Sequence, residues 1–387
     1  MSADTAGRAG TLALSGYYFA YFAYVGAYSP YITLYLKDIG LAAAQIGFLY
    51  SIPQVMRIFG PGVWGQVADR TGRPTLILRW AAALSLATFV GVYAGAGFWW
   101  LFTVLVAVHF FTSAQMPLIE AITLDHVRER PGDYGPIRVW GSLSFIMSVL
   151  GLGVALDHFS TTLVLHVTVA LLLMTAIVAW SVPAPAHHTN AAERSPLKTV
   201  LARPEVRAFL AAGFCNAFAH AALYAFYSLY LAALGYDKAV IGLMWATGII
   251  LEVAIFRGWP ALVRRYALRA MYFATFAIGA LRFAVIGWGA DHWWLLVAAQ
   301  VMHAATFAVY HASAVALVRE YFGAAGQARG QGLYISLTFG CGGFAGALTS
   351  GLLWETAGPA WTFSVSALAC AAGCAAFARH AFARVPA

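Results

Sequence analysis

Polar positions interrupt this chain only at long intervals. Apolar stretches of about 20 residues, each enough to cross a hydrocarbon core of about 30 Å as a helix, recur along its whole length. Twelve can be read, at roughly 12–36, 41–64, 75–97, 99–124, 138–157, 160–181, 207–234, 240–262, 269–289, 293–318, 330–353 and 360–378. The pattern predicts an all-α membrane protein with twelve transmembrane helices. The first stretch is too long for a signal-peptide core, and no small-residue cleavage site follows it before Lys37, so it is expected to remain as a span. The one long polar stretch, about 183–206, is rich in Pro, His and charge and reads as a cytoplasmic linker. It separates an N-terminal six-helix bundle (1–182) from a C-terminal six-helix bundle (207–387).

The two halves echo each other at an offset of roughly 190–195 residues: FWWLF at 98–102 with HWWLL at 292–296, AAQIGFLYS at 43–51 with AVIGLMWAT at 239–247, and RVWGSL at 138–143 with RGQGLY at 329–334. Each echo is weak, but all keep nearly one register. Parallel repeats of this kind place a binding site near the midplane, where the halves meet.

Composition narrows the class. The 387 residues are 61% hydrophobic and only 10% charged, which leaves no material for a soluble catalytic or output domain. The net charge of +8 would suit nucleic acid, but its placement argues against that. Arg70, Arg73, Arg128, Arg130, Arg264, Arg265, Arg319 and Arg379 all fall on one side of the spans, and the other side holds only Lys37 and Lys238. This is the positive-inside distribution, and it puts both termini in the cytoplasm. Trp99–Trp100 and Trp293–Trp294 open the fourth and tenth spans, as an aromatic belt requires. The four cysteines lie within spans and have no metal-ligand neighbours, so they are read as packing residues, and no metal or cofactor is expected.

The loop between spans two and three reads GQVADRTGRP (65–74). It resembles the G-x-x-x-D-R-x-G-R/K signature of the major facilitator superfamily, and six plus six spans fit that family throughout. The resemblance implies a gating role for Asp69, Arg70 and Arg73, with Asp69 near the positive end of a helix in the neighbouring bundle. The matching loop of the second half, GWPALVRRYALR (258–269), lacks the aspartate. PLIEAITLDHVR (117–128) and YGPIRVWGS (134–142) are similar to the lactose permease group, which makes Glu120 and Arg138 counterparts of its sugar-site charged pair. HAATFAVYH (303–311) followed by ARGQGLY (328–334) looks more like the phenylpropionate permease-like branch. One departure matters: Thr306 stands where lactose permease carries a proton-bearing glutamate, so that mechanism does not transfer directly.

Charged groups inside spans cost roughly 2.5–3.5 kcal/mol or more at a helix centre, so they tend to face a cavity and mark an ion or substrate path. Only Glu120 and Glu252 among the acids fall deep within apolar segments, together with Arg57, Arg138 and Arg282. Glu252, in span eight, is the first candidate for proton loading, against a bland reading as the permanent partner of Arg57 or Arg282. His303 and His311 are eight residues apart on roughly one helix face and can relay protons. His303 and Glu120 join Glu252 as proton-coupling candidates. Arg57, Arg138, Arg282 and His311 are candidate substrate ligands. His109, His166 and His220 have no such company and are read as structural. Tyr17, Tyr21, Tyr24, Tyr28 and Tyr31 recur at three- and four-residue steps in span one, and span seven repeats the theme with Tyr224, Tyr227 and Tyr230. These rings either pack helices or stack on substrate.

The expectation is a secondary active transporter in a bacterial inner membrane, monomeric, exchanging only with lipid, protons and a small solute. A cationic, tyrosine-lined cavity favours a proton symporter for a small organic anion such as a phenylpropionate-like acid. The alternative is a proton-linked sugar, oligosaccharide or nucleoside symporter. An enzyme is not expected, since no nucleophile–base pair, phosphate loop or metal cluster is present in the sequence.

Overall fold

Long helices follow the apolar stretches one by one. The computed structural model describes residues 3–185 and 197–381, so the middle of the segment read as a linker lies outside the described residues. The helices are α1 (Ala3–Tyr28), α2 (Ile32–Asp38), α3 (Ala43–Thr71), α4 (Pro74–Phe89), α5 (Phe98–His126), α6 (Tyr134–Leu156), α7 (Leu163–Ala179), α8 (Leu197–Ala202), α9 (Pro204–Ala233), α10 (Lys238–Arg265), α11 (Leu268–Gly289), α12 (Trp293–Ala304), α13 (Tyr310–Ile335), α14 (Gly343–Thr356) and α15 (Pro359–Ala381). Among the described residues, nine helical stretches are long and apolar enough to cross a membrane, and α7 is apolar but shorter.

Two features refine the reading from sequence. The stretch 12–36 is not one helix: α1 stops at Tyr28, Pro30 stands in the turn, and the chain restarts as α2. Proline has no N–H to continue the ladder, and its ring would strike the preceding turn. Spans ten and eleven part at Gly323, whose φ of 68° suits a residue without Cβ. Each of these two spans also contains a π-helical segment, Ala305–Val309 and Ser336–Gly342.

The helices pack as two compact units. Unit 1 comprises Met1–Leu41, Phe59–Asn190 and Asp237–Leu243, and unit 2 comprises Ala42–Ile58, Ala191–Tyr236 and Met244–Ala387. The core of unit 1 joins Leu14, Tyr17 and Tyr18 of α1 to Leu78 of α4, Ile119 of α5, Ile137 of α6 and Ala179 of α7. The core of unit 2 is aromatic, with Phe209, Tyr272, Phe276, Tyr310, Tyr334 and Phe377. Lipid offers no hydrophobic gain for pressing helices together, so close packing depends on small residues. In unit 1, a Cβ on Gly26 of α1 would lie 2.7 Å from the Phe145 carbonyl oxygen of α6.

Gly47 of α3 makes the corresponding contact in unit 2. A Cβ there would meet the Ala347 carbonyl oxygen at 2.6 Å and Gly351 Cα at 2.9 Å, both on α14. Just beside it, the Ala44 N–H donates to Glu355 Oε1 at 3.0 Å. Gly47→Leu therefore has to push two backbones apart, and overpacking of this kind costs about 1–3 kcal/mol. Gly62→Leu, in the same helix at a position with nothing within 4 Å, is the control. Thermal melting in detergent should show a lower Tm for the first variant and little change for the second. Equal melting of the two would count against the close approach.

Candidate functional site

Unit 2 gathers its buried charges in one place, and sequence explains how. Gly248 lies one turn before Glu252 on α10. A Cβ at Gly248 would fall 2.8 Å from His303 Cδ2 and 3.3 Å from Gln300 Oε1. The missing side chain lets α10 approach α12, and the next turn then sets Glu252 Oε1 at 2.7 Å from His303 Nε2. Both residues are buried, at 7% and 4% exposure. A contact this short between two acceptors needs a proton between them. That proton is held by the imidazole Nε2 or by the carboxyl, so the two groups share one titrating unit, and His303 Nδ1 has no hydrogen-bond partner among the described residues. The structure sets His303 beside Glu252, a contact that the sequence reading, which offered Arg57 or Arg282 as a permanent partner, did not foresee.

Arg282, on α11, is fully buried, and the groups bonded to it are neutral. Its Nε donates to the Ala299 carbonyl oxygen at 2.9 Å, and its Nη1 donates to Thr306 Oγ1 at 3.2 Å and to His220 Nε2 at 3.3 Å. His220 Nδ1 in turn donates to the Asn216 carbonyl oxygen at 2.8 Å. A histidine that donates from Nδ1 and accepts a guanidinium proton at Nε2 is neutral. Thr306 belongs to the π-helical segment that follows α12, a local widening often found at functional sites.

Rings and neutral hydrogen-bonding groups surround these charges. Gln300 Nε2 donates to the Tyr227 hydroxyl at 2.7 Å, and Trp245 Nε1 donates to Ser228 Oγ at 3.0 Å. Tyr224 stacks on Trp245 with centroids 6.0 Å apart, and Tyr227 meets the same indole edge-on at 5.6 Å. His303, Phe307 and His311 form a stacked column with spacings of 5.5 and 6.4 Å, consistent with one face for the two histidines. Arg57 is exposed, donates from Nη1 to Gln54 Oε1 at 3.1 Å and lies over the Phe339 ring.

Unit 1 holds the remaining candidates. Tyr17, Tyr21, Tyr24 and Tyr28 form a ladder with centroids 6.4, 6.1 and 5.6 Å apart. One end is fixed by the Tyr17 hydroxyl donating to Gln115 Oε1 at 2.8 Å, the other by Tyr28 against His109 Nε2 at 3.3 Å. Tyr31 turns away to donate to the Val149 carbonyl oxygen. Glu120 accepts from the Tyr134 hydroxyl at 2.7 Å and pairs with Arg138 Nε at 3.7 Å, while the guanidinium lies 4.1 Å from the Phe22 ring centroid. Asp69, Arg70 and Arg73 are exposed where α3 gives way to α4.

Sequence reasoning missed His220, Gln300 and Trp245. The first looked like a lone histidine, and the others carry no charge to draw notice inside a span. The available signal was Gly248, a glycine one turn from a buried acid.

A chain of apolar membrane-length helices with paired charges buried between them defines a membrane transport protein. The chain belongs to the MFS_1 like family, whose profile matches residues 11–365. It is 31% identical over 310 residues to the "Probable 3-phenylpropionic acid transporter" of Escherichia coli (strain K12), covering 77% of this chain and 79% of that one. It is 30% identical to the "Maltose permease" of Geobacillus stearothermophilus, over 88% of this chain and 86% of that one. The crystal structure of the nucleoside transporter NupG superposes with a TM-score of 0.82 at 19% identity, covering 97% of this chain and 99% of the other, and establishes the fold. The protein is a multi-pass, secondary active transporter of a small organic molecule in a bacterial inner membrane.

Proposed function

We propose that the protein is a proton-coupled symporter for a neutral, ring-bearing polyhydroxylated solute, a nucleoside or a small oligosaccharide. The observation that carries this reading is the balance of buried charge. Expecting an anion rested on three intramembrane arginines against two glutamates. Arg138 is paired with Glu120, Arg57 is exposed, and unit 2 buries one guanidinium, Arg282, with one carboxylate, Glu252. No surplus buried cation among the described residues calls for an anionic substrate. Next to that balanced pair stand an amide, hydroxyls and stacked rings (Gln300, Tyr227, Tyr224 and Trp245), which suit hydroxyl-rich rings. The maltose permease relative and the nucleoside transporter of like fold point the same way.

In this reading the Glu252–His303 pair carries the proton, and the bundles 1–182 and 207–387 alternate access around the solute, with both termini cytoplasmic. Asp69, Arg70 and Arg73 contribute to closing the cytoplasmic side, and Glu120–Arg138 either gates or coordinates solute. One observation favours a second reading, an aromatic acid: Arg282 Nη2 is buried without a hydrogen-bond partner among the described residues, and the 31%-identical relative is named for such a substrate.

Uptake into proteoliposomes driven by an inward proton gradient, with labelled uridine, maltose and 3-phenylpropionate, separates the readings. Accumulation of uridine or maltose that an uncoupler collapses is the expected result. Accumulation of 3-phenylpropionate alone would move the assignment to the second reading, and uncoupler-insensitive uptake would remove proton coupling.

A further inference from the structure

Each half of the repeat carries an apolar groove at the same place. In unit 1 it lies along α3 and α4, with a volume of about 490 Å³, and Trp64, Arg73, Ile77, Trp80 and Leu84 are among its walls. In unit 2 it lies along α10, α11 and the π-helical segment, with a volume of about 590 Å³, and includes Tyr266, Met271, Ala274, Ile278, Ala305 and Val309. The helices that floor them, α4 and α11, begin at Pro74 and Leu268, the same separation as Trp99 and Trp293 in the two halves. The grooves are therefore repeat equivalents.

Their length and polar ends identify an occupant. Along α11 the unit 2 lining runs from Ala270 to Ile278, eight residues or about 12 Å at the helical rise, and along α4 from Arg73 to Leu84 about 16 Å. Half of a hydrocarbon core of about 30 Å is about 15 Å, so the length of each groove is comparable to the depth of one leaflet. The N-caps of α4 and α11, Arg73 and Ala267, make no side-chain capping hydrogen bond. Beside these ends stand cations without an ion pair among the described residues: Arg73 in unit 1, Arg264 and Arg265 in unit 2. Neighbouring arginines are otherwise engaged, Arg79 with the carbonyl oxygens of Ala179, Trp180 and Val182, and Arg269 with Glu320. The segment 258–269 at the α10–α11 junction contains no acid, whereas 65–74 at the α3–α4 junction contains Asp69.

We propose that each groove seats an anionic phospholipid of the leaflet on the arginine-rich side. An acyl chain lies along α11 or α4, and the phosphate meets the uncapped helix end and its arginines. The unit 2 groove, with two arginines in the last turn of α10 and no carboxylate in the segment 258–269, is the tighter of the two. Basic sites of this type between spans recognise acidic headgroups.

The test uses the purified full chain in detergent, equilibrated with an equimolar mixture of phosphatidylglycerol and phosphatidylcholine, and counts retained lipids by native mass spectrometry. The wild type should retain two phosphatidylglycerols in preference to phosphatidylcholine. R264Q/R265Q should retain one, with affinity at the lost site down about thirtyfold. Ala274→Trp, which fills the unit 2 groove and keeps the arginines, should also retain one, and the surviving lipid in each variant reports an intact fold. Equal retention of the two lipids by the wild type would overturn the proposal, as would undiminished phosphatidylglycerol on R264Q/R265Q. Displacement of the lipid by an equal concentration of glycerol 3-phosphate would also overturn it, because the site would then be one for soluble anions.

Discussion

Glu252→Gln abolishes proton-driven accumulation in proteoliposomes, a fall of about tenfold or more, while exchange of labelled for unlabelled substrate across the same membrane persists. The geometry sets this expectation. Glutamine keeps the shape of the side chain, and its carbonyl oxygen can still accept from His303 Nε2 across the 2.7 Å contact. The pocket made by Gly248, Gln300 and His303 stays filled. What is lost is the ability to take up and release a proton within the span. A coupled carrier without its titrating group still binds and reorients with substrate, but it cannot draw energy from the gradient. If the Glu252→Gln protein still concentrates substrate and an uncoupler still abolishes that, the proton resides elsewhere, and the Glu120–Tyr134–Arg138 cluster becomes the next place to look. His303→Gln separates the two members of the pair: Glu252 then keeps its carboxylate, and accumulation should weaken without vanishing.

The spans were legible because lipid imposes a single rule, an apolar run long enough to cross, and this chain obeys it along nearly its whole length. Among the described residues α1, α3 and α7 fall outside the nine stretches that meet this rule, and α1 ends where Pro30 forbids another turn, a local signal that a hydropathy reading over 12–36 runs past. Glu252, His303 and Arg282 were also legible, since a charge inside a span is conspicuous. Their partners were not. Pairing of Glu252 with His303 bridges 51 residues, and Arg282 with His220 bridges 62, so neither follows from helical periodicity. The choice of substrate turned on this same gap. Counting arginines against glutamates treats all as buried, and only the packing separates Arg57, which is exposed, from Arg282, which is not. Tyr17, Tyr21, Tyr24 and Tyr28 were the opposite case. Their spacing in one helix already fixed their common face, and the ladder of ring contacts follows from it.

Arg282→Met is expected to destabilise the protein more than any other single change in the site, by about 3 kcal/mol, seen as a fall of several degrees in Tm. Methionine matches the reach of the aliphatic stem, so little cavity forms. The loss lies in the hydrogen bonds. The carbonyl oxygen of Ala299, the Nε2 of His220 and the hydroxyl of Thr306 each lose a charged donor in a place water does not reach. Arg282 and Glu252 are the charged side chains buried in unit 2 among the described residues, so removing the cation also changes the field at the carboxylate. Removing the cation alone leaves that buried carboxylate with less to offset its charge. A double-mutant cycle makes the point measurable. If the two groups share a field, Arg282→Met combined with Glu252→Gln melts higher than the sum of the single losses predicts, by about 1 kcal/mol or more of interaction energy. Arg282→Lys keeps the charge but not the planar fork, so it should recover the electrostatic part and not the hydrogen bonds, melting between wild type and Arg282→Met. Strict additivity in the cycle would mean that Glu252 answers to His303 alone, and that Arg282 holds α9, α11 and α12 together without acting on the proton site.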